Sequence, residues 1–194
     1  MALPKPLTPE EYLRLERKSE ERHEYLKGEV FAMSGASRAH NLIAQNTSRM
    51  LGNQIEDRPC EVYQSDMRVK IQATGLYTYP DIVVVCDSPE FEDLELDTLI
   101  NPTVIIEVLS ASTEKYDRGK KFQHYRSITT LQEYILISQE MIQVEQYVRQ
   151  KDQWGLRDFG VNEAILNLTS IGCSIQLSDI YRKVSFETDQ GLQT

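Results

Sequence analysis

Tyr79-Pro80-Asp81-Ile82-Val83-Val84-Val85 and Thr103-Val104-Ile105-Ile106-Glu107-Val108-Leu109 are the stretches whose reading decides the fold. Both are dense in β-branched residues and read as buried strands. Each carries one carboxylate, Asp81 in the first and Glu107 in the second. Side chains alternate along a strand, so Ile105, Glu107 and Leu109 share one face, and Val104, Ile106 and Val108 the other. A carboxylate taken out of water without a partner costs several kcal/mol. Two of them set on core strands therefore point to a bound cation. Pro80 cannot donate a ladder hydrogen bond, which marks a strand start or edge just before Asp81. If the two strands are neighbours, Asp81 and Glu107 converge on one ion. Mg²⁺ sites are often built this way, with waters and substrate phosphate oxygens completing the shell.

Outward from these strands, Thr8-Pro9-Glu10-Glu11 has the form of a helix start, with a Thr cap, Pro at the first position and Glu three residues after the cap. That helix is expected to run to about Glu20. His23 to Ser34 reads as a hairpin turning at Lys27-Gly28. Ala36 to Gln54 reads as a helix packed by one face on a sheet. Two strand-like stretches follow, Glu61 to Ile71 and Leu76 to Cys86, separated by a turn around Ala73-Thr74-Gly75. Ser110 to Thr113 offers helix caps, with a helix expected over Glu114 to Ser127. Glu133 to Ile137, Ile142 to Val148 and Trp154 to Phe159 read as further strands, and Leu177 to Tyr181 as a short helical turn. With no internal repeat and no linker, the reading is a single α/β domain over residues 1–194.

The 194 residues are 40% hydrophobic and 26% charged, which suits a globular protein and excludes a disordered one. No apolar run approaches the roughly 20 residues a membrane span needs. Met1 to Pro6 lacks the apolar core of a signal peptide, so the expected location is cytoplasmic. The three cysteines, Cys60, Cys86 and Cys173, are dispersed and odd in number, which indicates neither a disulfide framework nor a zinc cluster. The three histidines form no metal-binding pair at helical spacing, and His40, at the start of the second helix, reads as a packing or capping residue. Any metal is expected to be a hard cation held by oxygen.

A net charge of -9 counts against a general nucleic-acid-binding surface, although an enzyme acting on nucleic acid needs only a favourable field at its cleft. Charge is segregated along the chain. Residues 113–126 carry Lys115, Arg118, Lys120, Lys121 and Arg126 against Glu114 and Asp117, while residues 87–97 hold six acids and no base and read as a solvated loop.

Pro80-Asp81 followed by Glu107 resembles the PD-(D/E)XK nuclease superfamily, and more specifically the chain is similar to the Uma2 (DUF820) family of restriction-endonuclease-like proteins. Five stretches carry the resemblance. They are Glu24 to Val30, Tyr79 to Val84, Ile106 to Ser110 with Ser112-Thr113, Asp117 through Lys121 to Tyr125, and Glu133-Tyr134. It implies a restriction-endonuclease-like core, a mixed central β-sheet flanked by helices. The superfamily signature places a lysine two residues after the glutamate, where this chain has Leu109. Lys121 can take that place. It lies about as far along the returning helix as Glu107 lies from the strand end, roughly 10 Å at about 1.5 and 3.3 Å per residue respectively. Asp117, Lys121 and Tyr125 share a helix face, whereas Lys120 projects about 100° away. The family pattern also places its lysine here.

The resemblance implies a metal-dependent endonuclease acting on nucleic acid, expected to be DNA, as a homodimer. Asp81, Glu107 and the carbonyl of Val108 would bind Mg²⁺ or Mn²⁺, Lys121 would orient the attacking water, and Glu24 would support the ion or bind a second. Other readings stay open. Asp81 can be a strand-start residue bonding backbone amides, and Glu107 can sit in a buried salt bridge. Asp117 and Lys121 can form an ordinary helix pair, and Glu24 can be solvated. Asp66 also matches the pattern but is given no role. Lys115, Arg118 and Arg126 read as phosphate contacts or as a solvated face. The competing functions are a non-catalytic member of the same fold that binds nucleic acid or protein, and a metal hydrolase of small phosphoesters.

Overall fold

A computed structural model describes residues 6–161 and 163–186; the N-terminal Met1 to Lys5, read above for a signal segment, lies outside them. Helix α1 (Pro9–Glu16) opens on the anticipated capping box, in which Thr8 accepts from the Glu11 amide and Glu11 from the Thr8 amide. It stops at Glu16, short of the expected Glu20. The buried Glu16 carboxylate accepts the His23 amide at 2.8 Å and contacts the His23 ring at 3.0 Å, so the chain must reverse immediately. The reversal leads into the hairpin β1 (His23–Leu26) and β2 (Glu29–Ala32). Its turn places Lys27 at φ 49° and Gly28 at φ 94°. Gly28 is suited twice over, by its left-handed backbone and by the close approach of Pro6, which leaves no room for a Cβ.

Helix α2 (Arg38–Ile55), capped by Ser37, is followed by β3 (Cys60–Gln64), β4 (Arg68–Ile71), β5 (Leu76–Thr78) and β6 (Ile82–Cys86). The two long strands expected between Glu61 and Cys86 are thus each broken in two, and each break is a change of sheet. A five-stranded sheet has the order β2-β1-β5-β4-β7, where β7 is Thr98–Leu99. A six-stranded sheet has the order β11-β10-β9-β8-β6-β3, built with β8 (Val104–Leu109), β9 (Glu133–Ser138), β10 (Val144–Gln150) and β11 (Gln153–Phe159). The chain crosses from β5 in one sheet to β6 in the other through Tyr79-Pro80-Asp81, where Pro80 has no amide to offer a ladder. In the larger sheet β8 and β9 run parallel while β6 and β8 run antiparallel, so the sheet is mixed, as expected.

Between β8 and β9 the returning helix is present but not uniform. It comprises α3 (Glu114–Tyr116), a π-helical segment (Asp117–Lys121) and α4 (Phe122–Tyr125). A hairpin of β12 (Ile165–Leu168) and β13 (Cys173–Gln176), unanticipated from the sequence, precedes a short α5 (Leu177–Ile180).

Both faces of the six-stranded sheet are buried. On one face Ile82, Val84, Val104, Ile106 and Val108 pack with Ile43, Leu51 and Ile55 of α2 and with residues of β12, β13 and α5. On the other, Val83, Val85, Ile105 and Leu109 meet Val69, Ile71 and Leu76 of the smaller sheet and Phe122 and Tyr125 of α4. Glu107 belongs to this second face by strand alternation.

Two expectations are corrected. Cys60 and Cys86 are directly opposed in the β3–β6 ladder and form a disulfide, with Cα atoms 4.0 Å apart. Their separation of 26 residues concealed a pairing that only the strand register creates. Nor is the acidic segment simply solvated. Asp93 and Asp97 bind Arg17 at 2.7 and 2.8 Å, Asp97 also binds Arg68 at 2.8 Å, and Glu92 accepts from Tyr77 at 2.7 Å. Among the described residues no helix is long and apolar enough to cross a membrane.

Candidate active site

The site forms where β6 ends and β8 continues past it. Ile82 pairs with Ile106, so residues 107 to 109 run beyond the β6 ladder and Asp81 stands at its open end. The Val108 amide, left without a strand partner on that side, donates to Asp81 Oδ2 at 2.7 Å. Asp81 Oδ1 lies 3.0 Å from His40 Nε2 on α2. The N–H and C=O of one strand residue point to the same side. The Val108 carbonyl therefore also faces the gap past the end of β6.

Glu107 is 4% exposed. Its Oε1 accepts from the Tyr125 hydroxyl at 2.8 Å and lies 2.9 Å from Lys121 Nζ. Both contacts fall on Oε1; among the described residues no hydrogen bond reaches Oε2. Lys121 Nζ is also 3.4 Å from Glu24 Oε1 and 3.6 Å from Asp117 Oδ1, so three carboxylates surround one buried ammonium. Glu24 is held in turn by the Thr78 hydroxyl on β5. Tyr134 donates to the Asp117 backbone carbonyl at 3.1 Å and ties the π segment to β9. π-Helical turns within α-helices occur frequently at functional sites, and this one carries both Asp117 and Lys121.

Burial governs the electrostatics. It pushes the Glu107 carboxyl up to about 8, against the pull of Lys121 and with the help of Asp117 and Asp81. It raises Asp117 too, again opposed by Lys121. For Lys121 burial works against the charge, yet Glu107, Glu24 and Asp117 hold its pKa well above the usual lysine value. The Tyr125 hydroxyl is raised by burial and by Glu107, which keeps it a hydrogen-bond donor.

Oxygen donors of this kind suit a hard divalent cation. Among the described residues no three His, Cys, Asp or Glu side chains are grouped to hold an ion. Beside Asp81 and Glu107, the Val108 carbonyl would be a backbone donor, since it faces the same gap. With Glu107 Oε2 uncommitted, the donor set fits such an ion.

Of the sequence candidates, Glu24, Glu107 and Lys121 are brought together by direct contact, and Asp81 is joined to them through the Val108 amide. Lys120 is exposed, as its helical position requires. The contacts of the plainer readings are present as well: Asp81 does accept a backbone amide, and Glu107 does sit in a buried salt bridge. Asp66 is apart from the site, solvent-exposed and paired with Arg22 at 3.3 Å. Arg118 is committed to Glu114 and Glu145, while Lys115 and Arg126 remain exposed. His40 is the residue the sequence did not yield. Its place at the start of the second helix was legible, and its amide donates to Ser37, but its contact with Asp81 spans 41 residues and has no local signal.

A model of the Uma2 family, described as "Putative restriction endonuclease", matches residues 9–178. The chain belongs to the Uma2 family. The match takes in every residue of the site. Two Synechocystis sp. relatives (strain ATCC 27184 / PCC 6803 / Kazusa) are similar over most of their length. "Uncharacterized protein slr1290" is 37% identical over 181 residues, covering 93% of this chain and 94% of the relative. "Uncharacterized protein sll1609" is 42% identical over 159 residues, covering 81% and 90%. Among solved structures, a crystal structure described as a putative nuclease belonging to DUF820 from Anabaena variabilis ATCC 29413 superposes with a TM-score of 0.73 at 21% identity. It covers 91% of this Uma2 chain and 98% of that one, which establishes a shared mixed α/β fold.

Proposed function

We propose that this Uma2 protein is a metal-dependent endonuclease hydrolysing phosphodiester bonds of nucleic acid, with DNA as the expected substrate. The observation that carries the reading is the Lys121 ammonium 2.9 Å from Glu107, a cation that can substitute for the lysine the superfamily signature puts where this chain has Leu109. Asp81, Glu107 and the Val108 carbonyl would hold Mg²⁺ or Mn²⁺. A divalent ion bound there supplies Lewis-acid polarisation of the phosphate and a water of lowered pKa. Lys121 would orient the attacking water and offset charge developing on the phosphate. Asp117 and Glu24 keep that ammonium charged and in place, and Tyr125 fixes the rotamer of Glu107. One such site cuts one strand, so cleavage of both strands of a duplex would take two copies, as in a homodimer.

The second reading, a non-catalytic member of the fold that binds nucleic acid or protein, draws on the same contact. The Lys121 ammonium already pairs with all three carboxylates, so the cluster can stand as a structural ion-pair network without an ion. A cleavage assay on supercoiled and single-stranded DNA with Mg²⁺ or Mn²⁺ separates the two. The enzyme reading requires metal-stimulated cleavage that Asp81→Ala and Lys121→Ala each abolish. Equal activity in all three proteins, or none in the wild type, favours the binding reading.

A further inference from the structure

The smaller sheet presents a row of residues to the site. Directly paired residues on adjacent strands share a face. Leu99 of β7 pairs with Val69, Val69 with Thr78, and Glu24 with Phe31. Tyr25 opposite Tyr77 sets Glu24 beside Thr78, where their side chains bond. The row thus runs Leu99, Val69, Thr78, Glu24, Phe31 on one face. Its first three members are fully buried, its fourth is the carboxylate that meets Lys121, and its last member, Phe31, is 48% exposed. Strands lie about 4.8 Å apart, so Phe31 is the next group outward from Glu24 on the rim of the same cleft. Nothing on its own sheet lies beyond it, since β2 is the edge strand and all four of its residues are exposed. Tyr25 and Val30, on the opposite face, belong to the side where Tyr12, Tyr25 and Tyr77 pack, so Phe31 plays no part in that cluster. The hairpin turn adds the exposed cation Lys27, which acts on His124 of the facing helix together with Glu24. An exposed aromatic ring on a hairpin whose turn carries a cation, one strand away from the proposed phosphodiesterase site, has the chemistry of a surface for stacked bases of unpaired nucleic acid.

We propose that Phe31 is a stacking platform for an unpaired base beside the scissile phosphate, and that the substrate is nucleic acid that is single-stranded at the point of cleavage. The inference deepens the nuclease reading and rests on it for the meaning of the cleft. Its test does not need cleavage. Wild-type protein in EDTA is titrated into an oligonucleotide containing 2-aminopurine, presented single-stranded and as a duplex, and binding is read by fluorescence. The single strand is expected to bind tighter with quenching of the probe. Phe31→Ala and Phe31→Leu are each expected to weaken binding about tenfold and remove the quenching, with Phe31→Tyr close to wild type. Equal affinity for duplex, no binding at all, or a Phe31→Leu protein that binds and quenches like wild type would overturn it. Phe31-dependent binding without cleavage on metal addition leaves the platform standing and removes the nuclease. Cleavage without Phe31 dependence does the reverse.

Discussion

Lys121 Nζ stands 2.9 Å from Glu107 Oε1, and the two side chains reach each other from a π-helical turn and a core strand. Both are almost wholly buried, so above about pH 8, where Glu107 has lost its proton, each is the condition for the other's charge. Removing one member of such a pair costs about 3–5 kcal/mol, because the partner is left charged and unsolvated. Lys121→Met is accordingly expected to lower stability by about that amount in urea titrations and to reduce metal-stimulated cleavage by about 10²–10³-fold. Adding Glu107→Gln, which retains an acceptor for Tyr125, should recover at least half of the lost stability and none of the activity. A Lys121→Met protein as stable as wild type would show that the ammonium is not holding the carboxylates.

Burial sets the pH response of the same group. Burial pushes Glu107 up to about 8 from the ordinary carboxyl value of 4.5. The native state therefore holds a proton between those values that the unfolded chain has released. For a raised carboxyl the stabilisation is full below about 4.5 and is lost as pH rises through about 8. The stability of wild type minus that of Glu107→Gln should then fall across this window and level off above it, with a slope no steeper than about 1.4 kcal/mol per pH unit. The same proton must leave for the carboxylate to bind an ion, so Mn²⁺ affinity should tighten as pH rises towards 8. Denaturant midpoints between pH 4 and 9 test the first statement and calorimetric titrations the second.

Much of this arrangement was legible because it is local. The faces of 103–109 follow from strand alternation, and Asp117, Lys121 and Tyr125 share a side through their four-residue spacing. The Lys27-Gly28 hairpin and the Thr8 capping box are written in two to four residues each. What escaped depends on register between distant segments. Cys60 faces Cys86 only because β3 pairs with β6, and His40 reaches Asp81 only because α2 packs beside the β6 end. The break at Ser65-Asp66-Met67 looked like strand because its flanks are strand, and Pro80 marked a strand start or edge before Asp81 without revealing a second sheet; the change of sheet is a tertiary event. Ile165-Leu166-Asn167-Leu168 and Cys173-Ser174-Ile175-Gln176 show the alternation of a half-buried hairpin, a signal that was present and too short to weigh.

His40 holds one oxygen of Asp81 and the Val108 amide holds the other. That leaves the carboxylate a single orientation towards the gap beyond β6. Hydrogen bonds of this sort to a metal ligand are typically worth about 10–100-fold in affinity. His40→Ala should therefore weaken Mn²⁺ binding by that factor while changing unfolding free energy by no more than about 1 kcal/mol. His40→Gln, which can still donate, should recover part of the affinity. If metal binding by His40→Ala is unchanged, the contact is a packing detail of α2 and the positioning role is wrong.

The Cys60–Cys86 bridge lies at the opposite end of β6 from Asp81, about 16 Å away over five residues at about 3.3 Å each. It closes a loop of 26 residues in the unfolded chain, for which the loss of loop entropy amounts to about 3.5 kcal/mol. Since β3 and β6 are already paired along five residue pairs, the native ladder does not depend on the covalent link for its register. Reduction should therefore act on stability and not on the site. Thermal melts with and without reductant are expected to differ by several degrees, Cys60→Ser/Cys86→Ser should melt like the reduced protein, and cleavage at 25 °C should be the same in all forms. A loss of cleavage on reduction at a temperature where the protein stays folded would mean that the far end of β6 is coupled to Asp81 after all, through the strand itself.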